Sequence, residues 1–214
     1  MSAKKNNTVV PAKKVKGSLN IIVGSMFSGK TEELMRRLRR AEYAKQNVLT
    51  IKHLIDTRAQ HQCILSHNGM ERSANPVNNT PQGIRKILEL ADATIDVVGF
   101  DEAQFFSKEL IPVVMTLVEQ GKQVIIAGLD LDFRGEPFGI MPNLMALADT
   151  VCKLQAICHK CGKEAHYSQR IVNGKPARYD EPIVLVGAAE SYETRCRNCF
   201  SIDHRPHVIQ QQAS

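Results

Sequence analysis

Apolar positions along this chain alternate between two rhythms. Short apolar runs at Leu19, Ile21, Ile22 and Val23, at Val48, Leu49 and Ile51, at Ile95, Val97, Val98 and Phe100, and at Val124 to Ala127 predict strands. Strands buried on both faces read as near-continuous hydrophobic runs, as in a parallel sheet. Between them, Leu34, Leu38 and Ala41, and then Ile84, Ile87, Leu88 and Ala91, recur at helical spacing. Thr80 is placed to cap the second of these helices, with Pro81 at its first position. A third helix is expected from about Lys108 to Glu119, with Pro112 obliging it to start late or bend and Gly121 ending it. A short helix carrying Leu144, Leu147 and Ala148 leads to a strand expected over Val151 to Ile157. Strands alternating with helices imply an α/β fold on a parallel sheet, with right-handed crossovers and functional groups at the carboxyl ends of the strands.

Two stretches break the rhythm. From Leu54 to Asn79 the apolar period disappears and polar residues dominate, and a connection this long inside a compact domain is usually functional or mobile. Beyond Cys158 the pattern shortens to β-like pieces, with strands expected at Tyr167 to Val172 and Ile183 to Val186 and a hairpin turn at Asn173-Gly174. The chain from Phe200 onward has few apolar residues and is expected to fray. The pattern contains no internal repeat.

Composition narrows the class. A chain of 214 residues suits one substantial domain, or one with a small appendage. The hydrophobic fraction of 43% is ordinary for a soluble protein. No apolar run approaches the ~20 residues of a membrane span. The N-terminus has neither the apolar core of a secretory signal nor the arginines of a transit peptide. The formal charge is +6, but Lys4, Lys5, Lys13, Lys14 and Lys16 lie in residues 1–17, which contain no acid. The excess therefore belongs to a solvated, disordered tail, and the nearly balanced body argues against a nucleic-acid surface.

The chemistry begins at Gly24-Ser25-Met26-Phe27-Ser28-Gly29-Lys30-Thr31, a full match to the phosphate-loop pattern G-x-x-x-x-G-K-[ST] between a strand and a helix. Such a loop gathers backbone N–H groups and a helix N-terminus around one anionic site, which implies a nucleoside triphosphate. Lys30 would reach the β- and γ-phosphates and the Thr31 hydroxyl would ligate Mg²⁺. The bland alternative is a glycine turn that happens to precede a helix. The strand ending at Phe100 delivers Asp101-Glu102-Ala103-Gln104-Phe105-Phe106. There Asp101 suits Mg²⁺, directly or through its water shell, and Glu102 points elsewhere and suits accepting a proton from an attacking hydroxyl. Two acids that merely open a polar loop are the alternative. The run Arg36, Arg37, Arg39 and Arg40 reads as a solvated helix face or a subunit contact, and His67 as an ordinary loop histidine or a phosphate ligand.

Six cysteines without a secretion signal point away from disulfides. Cys158-His159-Lys160-Cys161 and Cys196-Arg197-Asn198-Cys199 are two C-x-x-C pairs that suit a closed, tetrahedral, structural Zn²⁺. His159 and His166 are substitutes if one cysteine is free, and Cys63 and Cys152 are left as plain thiols. The expected organisation is a basic tail at 1–17, a P-loop α/β domain at 18–150, a small zinc-binding β domain at 151–200 and a flexible tail at 201–214. Phe105, Phe106, Phe133 and Phe138 fall in loops, where they pack under the chain or offer faces for stacking on a base. Two function classes fit: a phosphotransferase acting on a small base-bearing acceptor, and a nucleic-acid-dependent P-loop ATPase with a zinc ribbon. Scarce basic-aromatic interleaving weighs against the second.

Taken together, the phosphate loop, the Asp101 to Phe106 run, the stretch Gly128-Leu129-Asp130 through Pro137-Phe138-Gly139 and the paired C-x-x-C motifs resemble thymidine kinases of the type II class. The resemblance runs from about Ser18 to Cys199. It implies a recombinase-like ATP core with a zinc-stapled lasso domain, ATP-dependent phosphorylation of the thymidine 5′-hydroxyl, a homotetramer, feedback inhibition by thymidine triphosphate and a cytoplasmic setting. No membrane and no specific nucleic acid enter as partners. By the same resemblance Glu102 is the general base, Lys30 and Arg58 act on the phosphates, and Gly24 to Thr31 with Asp101, Glu102, Ala103 and Gln104 hold the nucleotide. Met26, Phe105, Leu129 and Phe133 would line the thymidine pocket. Ser168 and Tyr192 would close over base and sugar, and the backbone of Ile183, Val184, Leu185, Val186 and Gly187 would bond the thymine edge. Ser168 stands where threonine is common in that class, which bears on the pocket around the thymine methyl.

Overall fold

The computed structural model describes residues 16–55, 62–65, 69–183 and 190–204. Its first strand, β1 (Ser18–Val23), runs into the phosphate loop and then α1 (Lys30–Tyr43). Next come β2 (Val48–His53), three short strands β3 (Cys63–Leu65), β4 (Glu71–Ser73) and β5 (Asn75–Val77), and α2 (Pro81–Leu90). The chain continues through β6 (Val97–Asp101), a 3₁₀ turn at Ala103–Phe105, α3 (Leu110–Glu119), β7 (Gln123–Gly128) and α4 (Met141–Leu147). It ends with β8 (Thr150–Lys153), β9 (Ala156–Ile157), β10 (Glu164–Ala165), β11 (Tyr167–Val172), β12 (Lys175–Pro176) and β13 (Glu190–Arg195).

Six strands form one parallel sheet in the order β5-β2-β6-β7-β1-β8. Its register matches Ile21 with Ile126 and Ile22 with Ala127, and alternation sends these pairs to opposite faces. Ile22, Ile125, Ala127 and Val97 pack with Leu34 and Leu38 of α1, whereas Ile21, Ile51, Val98, Phe100 and Ile126 pack under α2, α3 and α4. The path explains the split. The crossover from β1 to β2 runs one way along the sheet and those through α2, α3 and α4 run back, so a constant right-handed connection puts α1 on one face and the other helices on the opposite one. At Gly99 a Cβ would lie 2.7 Å from a Leu38 methyl, so the missing side chain lets α1 seat against β6.

The helix ends follow their local chemistry. The Thr80 hydroxyl accepts the Gly83 N–H at 3.0 Å and Pro81 opens α2. Helix α3 starts at Leu110, which puts Pro112 within the first turn, where its missing N–H costs nothing. Among the described residues, no helix is long and apolar enough to cross a membrane.

Three expectations need correcting. The stretch from Leu54 to Asn79 holds β3, β4 and β5, held down by long-range polar bonds. The Lys52 ammonium, 1% exposed, donates to the Cys63 carbonyl, and Arg72 joins Thr50 and Glu42. The strand expected over Val151 to Ile157 is split: β8 extends the large sheet beside β1, and β9 pairs with β10. The third strand of the small sheet is β13, which pairs with β11 over six positions from Tyr167–Arg195 to Val172–Glu190. Ile183 lies in a bend instead, and residues 184–186 fall outside the described ones. The hairpin at Asn173-Gly174 forms with both residues at positive φ, 50° and 75°, joining β11 to β12. Phe200 stacks on Tyr167 at 4.4 Å and Tyr179 N–H donates to the Asp203 carbonyl, which ties residues 200–203 back to the small sheet.

Candidate active site

The carboxyl ends of β1, β6 and β7 converge on one corner of the molecule. After Val23 the chain turns at Gly24, whose φ of 148° is matched by crowding: a Cβ there would lie 2.4 Å from the Leu154 carbonyl and 2.7 Å from Ser28 Oγ. Gly29, at φ 84°, precedes α1, which has no side-chain N-cap. Helix α1 therefore presents its first N–H groups to the loop, where an anion would take them. Lys30, 9% exposed, folds its ammonium onto the Ser25 carbonyl at 2.8 Å. Ser25 Oγ and Ser28 Oγ are buried in this loop without a hydrogen-bond partner among the described residues. Two orphaned hydroxyls beside an uncapped helix and a lysine fit a phosphate chain.

Across β7, the end of β6 faces the start of α1. Thr31 Oγ1 lies 3.2 Å from Asp101 Oδ2, and Asp101 Oδ1 accepts the Glu102 N–H at 3.0 Å. A hydroxyl and a carboxylate this close are the donor set of an Mg²⁺ bound with phosphates. Glu102 is 8% exposed and has a left-handed backbone, φ 52° and ψ 44°, uncommon for a side chain of its size. Its carboxylate accepts from Gln104 Nε2, whereas that of Asp101 meets Thr31. Gln104 Oε1 in turn accepts the Leu129 N–H at 2.9 Å, bracketing Glu102 against the chain beyond β7.

The aromatic residues collect on the Glu102 side. Phe105 meets Phe138 edge-on at 5.8 Å and lies 6.2 Å from the His53 ring. The run beyond Gly128 is a small hairpin rather than an open loop: Leu131 bridges Pro137, and buried Asp132 accepts the N–H groups of Arg134 and Glu136. Burial raises the Asp132 carboxyl above its ordinary range, with those two N–H bonds opposing. Phe133 is 3% exposed beneath the Arg170 guanidinium. Ser168 Oγ accepts the Met26 N–H at 2.9 Å, so β11 touches the phosphate loop directly. Ile183 and Tyr192 reach the same corner through hydrogen bonds to Arg170. Arg58, His67, Val184, Leu185, Val186 and Gly187 lie outside the described residues. Arg170 and His53 belong to this corner and carried no sequence signal, since an arginine in a strand and a histidine at a strand end are each common.

The cysteines form a second centre. Cys158, Cys161, Cys196 and Cys199 bring their sulfurs within 4.8 Å of one another. Each pair sits on a tight turn: Gly162 N–H bonds the Cys158 carbonyl, and the Cys199 and Phe200 N–H groups bond that of Cys196. Burial pushes the Cys158 thiol up, but backbone N–H groups of Cys196, Lys160 and Cys161 outweigh it and hold the thiol down at about 6. Hydrogen bonds with Cys161 and Cys196 push Cys199 up to about 12. Four thiols this close oppose one another's ionisation without a cation, and the set is compatible with structural zinc. His159 is exposed and its Nε2 lies 4.0 Å from Glu193.

Comparison with known proteins agrees with this geometry. The thymidine kinase family model matches residues 17–200. A thymidine kinase of Coprothermobacter proteolyticus is 56% identical over 180 residues, spanning 84% of this chain and 88% of its own length. The parallel sheet with its phosphate loop, the small antiparallel sheet and the cysteine cluster thus sit in a chain that belongs to the thymidine kinase family.

Proposed function

We propose that this chain transfers the γ-phosphoryl group of ATP to the 5′-hydroxyl of thymidine, giving thymidine monophosphate and ADP. The observation that carries the reading is the divergence of two adjacent carboxylates at the end of β6. Asp101 faces Thr31 and the phosphate loop, and Glu102 faces Gln104, Leu129 and the aromatic corner. In this reading Glu102 takes the proton of the acceptor hydroxyl, while Lys30 and Arg58 attend the transferred phosphoryl group. Thr31 and Asp101 would hold Mg²⁺, which supplies neutralisation of phosphate charge when bound. Met26, Phe105, Leu129, Phe133, Ser168 and Tyr192, with the backbone of residues 183–187, would enclose the nucleoside.

The same reading carries a P-loop domain at 18–150 and a zinc-stapled lasso at 151–200. It also carries a homotetramer, feedback inhibition by thymidine triphosphate and a cytoplasmic setting. The test is an assay with radiolabelled ATP across a panel of nucleosides, run beside single-stranded DNA. Label on thymidine, with no stimulation of hydrolysis by DNA, is the expected result. ATP hydrolysis that rises with DNA and leaves every nucleoside unlabelled would favour the ATPase reading and end this one.

A further inference from the structure

We propose that Arg170 is a positioning residue for the nucleoside, setting thymidine affinity by holding Phe133, Tyr192 and the chain at Pro182 and Ile183 in one arrangement. The proposal rests on the thymidine reading above. Arg170 is 1% exposed, an unusual place for a guanidinium unless its fork is used. Here the fork is used in three directions. Nε donates to the Tyr192 hydroxyl at 2.8 Å, Nη1 to the Pro182 carbonyl at 2.6 Å and Nη2 to the Ile183 carbonyl at 2.5 Å. The guanidinium carbon also lies 4.0 Å over the Phe133 ring, within cation–π range.

These partners come from three separate places: the hairpin after β7, the bend at Pro182 and Ile183, and β13. Strand alternation makes the assignment specific to the site. Ser168 and Arg170 share one face of β11, and Ser168 accepts the Met26 N–H of the phosphate loop. Gln169 takes the other face, where its Oε1 accepts the Ser201 N–H just past the cysteine turn. One strand therefore presents a nucleoside-facing side and a cysteine-facing side, and Arg170 occupies the former. Tyr192, Pro182, Ile183 and Phe133 lie on the nucleoside side, so its loss should register on thymidine rather than on ATP.

The test uses the full chain carrying Arg170→Met and Arg170→Lys. Thymidine and ATP are varied separately in steady-state kinetics, and hydrogen exchange is followed at Tyr179–Ile183 and Ser191–Arg195. Lysine keeps the charge, but its three donors share one nitrogen and cannot span the separated acceptors that the planar guanidinium reaches. Both variants should raise the thymidine KM about tenfold or more and leave the ATP KM within about twofold. Exchange in the two segments should quicken without ligand. If Arg170→Met does not fold, Arg170→Lys decides alone. A thymidine KM within about twofold of wild type, or thymidine and ATP KM rising in parallel, would overturn the proposal. A wild-type protein that puts no label on thymidine overturns the function reading and takes this proposal with it. Labelled thymidine with an unmoved KM overturns only the proposal.

Discussion

The proposed chemistry is tested most directly at Glu102, a buried residue with a left-handed backbone whose carboxylate accepts from Gln104 while Asp101 meets Thr31. A positioned general base is typically worth ~10²–10⁴-fold in rate. Glu102→Gln keeps the shape and cannot take the proton, so kcat should fall by about that factor while calorimetric affinities for ATP and thymidine change little. Turnover within a few-fold of wild type would remove Glu102 from the base role. His53 offers a pH-dependent counterpart. It is 7% exposed, lies edge-on to Phe106 at 4.8 Å, and its Nδ1 accepts the Ile55 N–H. Burial pulls the imidazole below its usual 6.5, with the neighbouring Asn79 side chain partly opposing. A histidine with a depressed folded pKa contributes stability above its unfolded value and loses it as pH falls through the folded one. Wild type should therefore lose more urea stability than His53→Gln between pH 7.5 and the mildly acid range. Equal losses would show that folding leaves the His53 pKa unshifted.

Among the elements, α1 matters most, since it carries Lys30 and Thr31 on a helix seated against β6 at Gly99. Gly99→Ala forces a methyl into the 2.7 Å approach of Leu38. Overpacking of this kind costs about 1–3 kcal/mol, which denaturant titration should read as a lower midpoint with an unchanged slope. An unchanged midpoint would mean that α1 shifts freely. These large elements were legible because their signals are local: β1, α1 and the Thr80 cap each declare themselves within a few residues. The three-residue strands β3, β4 and β5 were not, since three residues hold too little alternation to read. Strand β13 was missed for another reason. Its sequence, Glu190-Ser191-Tyr192-Glu193-Thr194-Arg195, is polar, and it is a strand because β11 lies beside it. The same limit applies in the site. The phosphate loop and Asp101 announce themselves by motif, whereas the bracket from Glu102 through Gln104 to Leu129 and the fork of Arg170 depend on contacts made only by folding.

At the scale of the whole molecule, β11 links two centres, with Ser168 meeting the phosphate loop and Gln169 meeting Ser201 just past the second cysteine pair. Elemental analysis should find about one zinc per chain, as a closed four-thiolate site requires. Chelation should weaken thymidine binding more than ATP binding, because the cysteine turns brace β13 and β11 rather than the loop. Zinc-free protein with full thymidine affinity would contradict this. The Met26–Ser168 bond has a last consequence, which belongs to thermodynamics rather than to architecture. It joins the loop that would grip phosphate to the strand that would meet the nucleoside and so offers a path for coupling, and linkage requires any factor ATP applies to thymidine affinity to be returned by thymidine on ATP. Titrating each ligand in the presence and absence of the other, with a non-hydrolysable ATP analogue, reads that factor twice. Replacing Ser168 by alanine should bring both readings toward unity together, and a factor untouched by that change would place the link elsewhere in the chain.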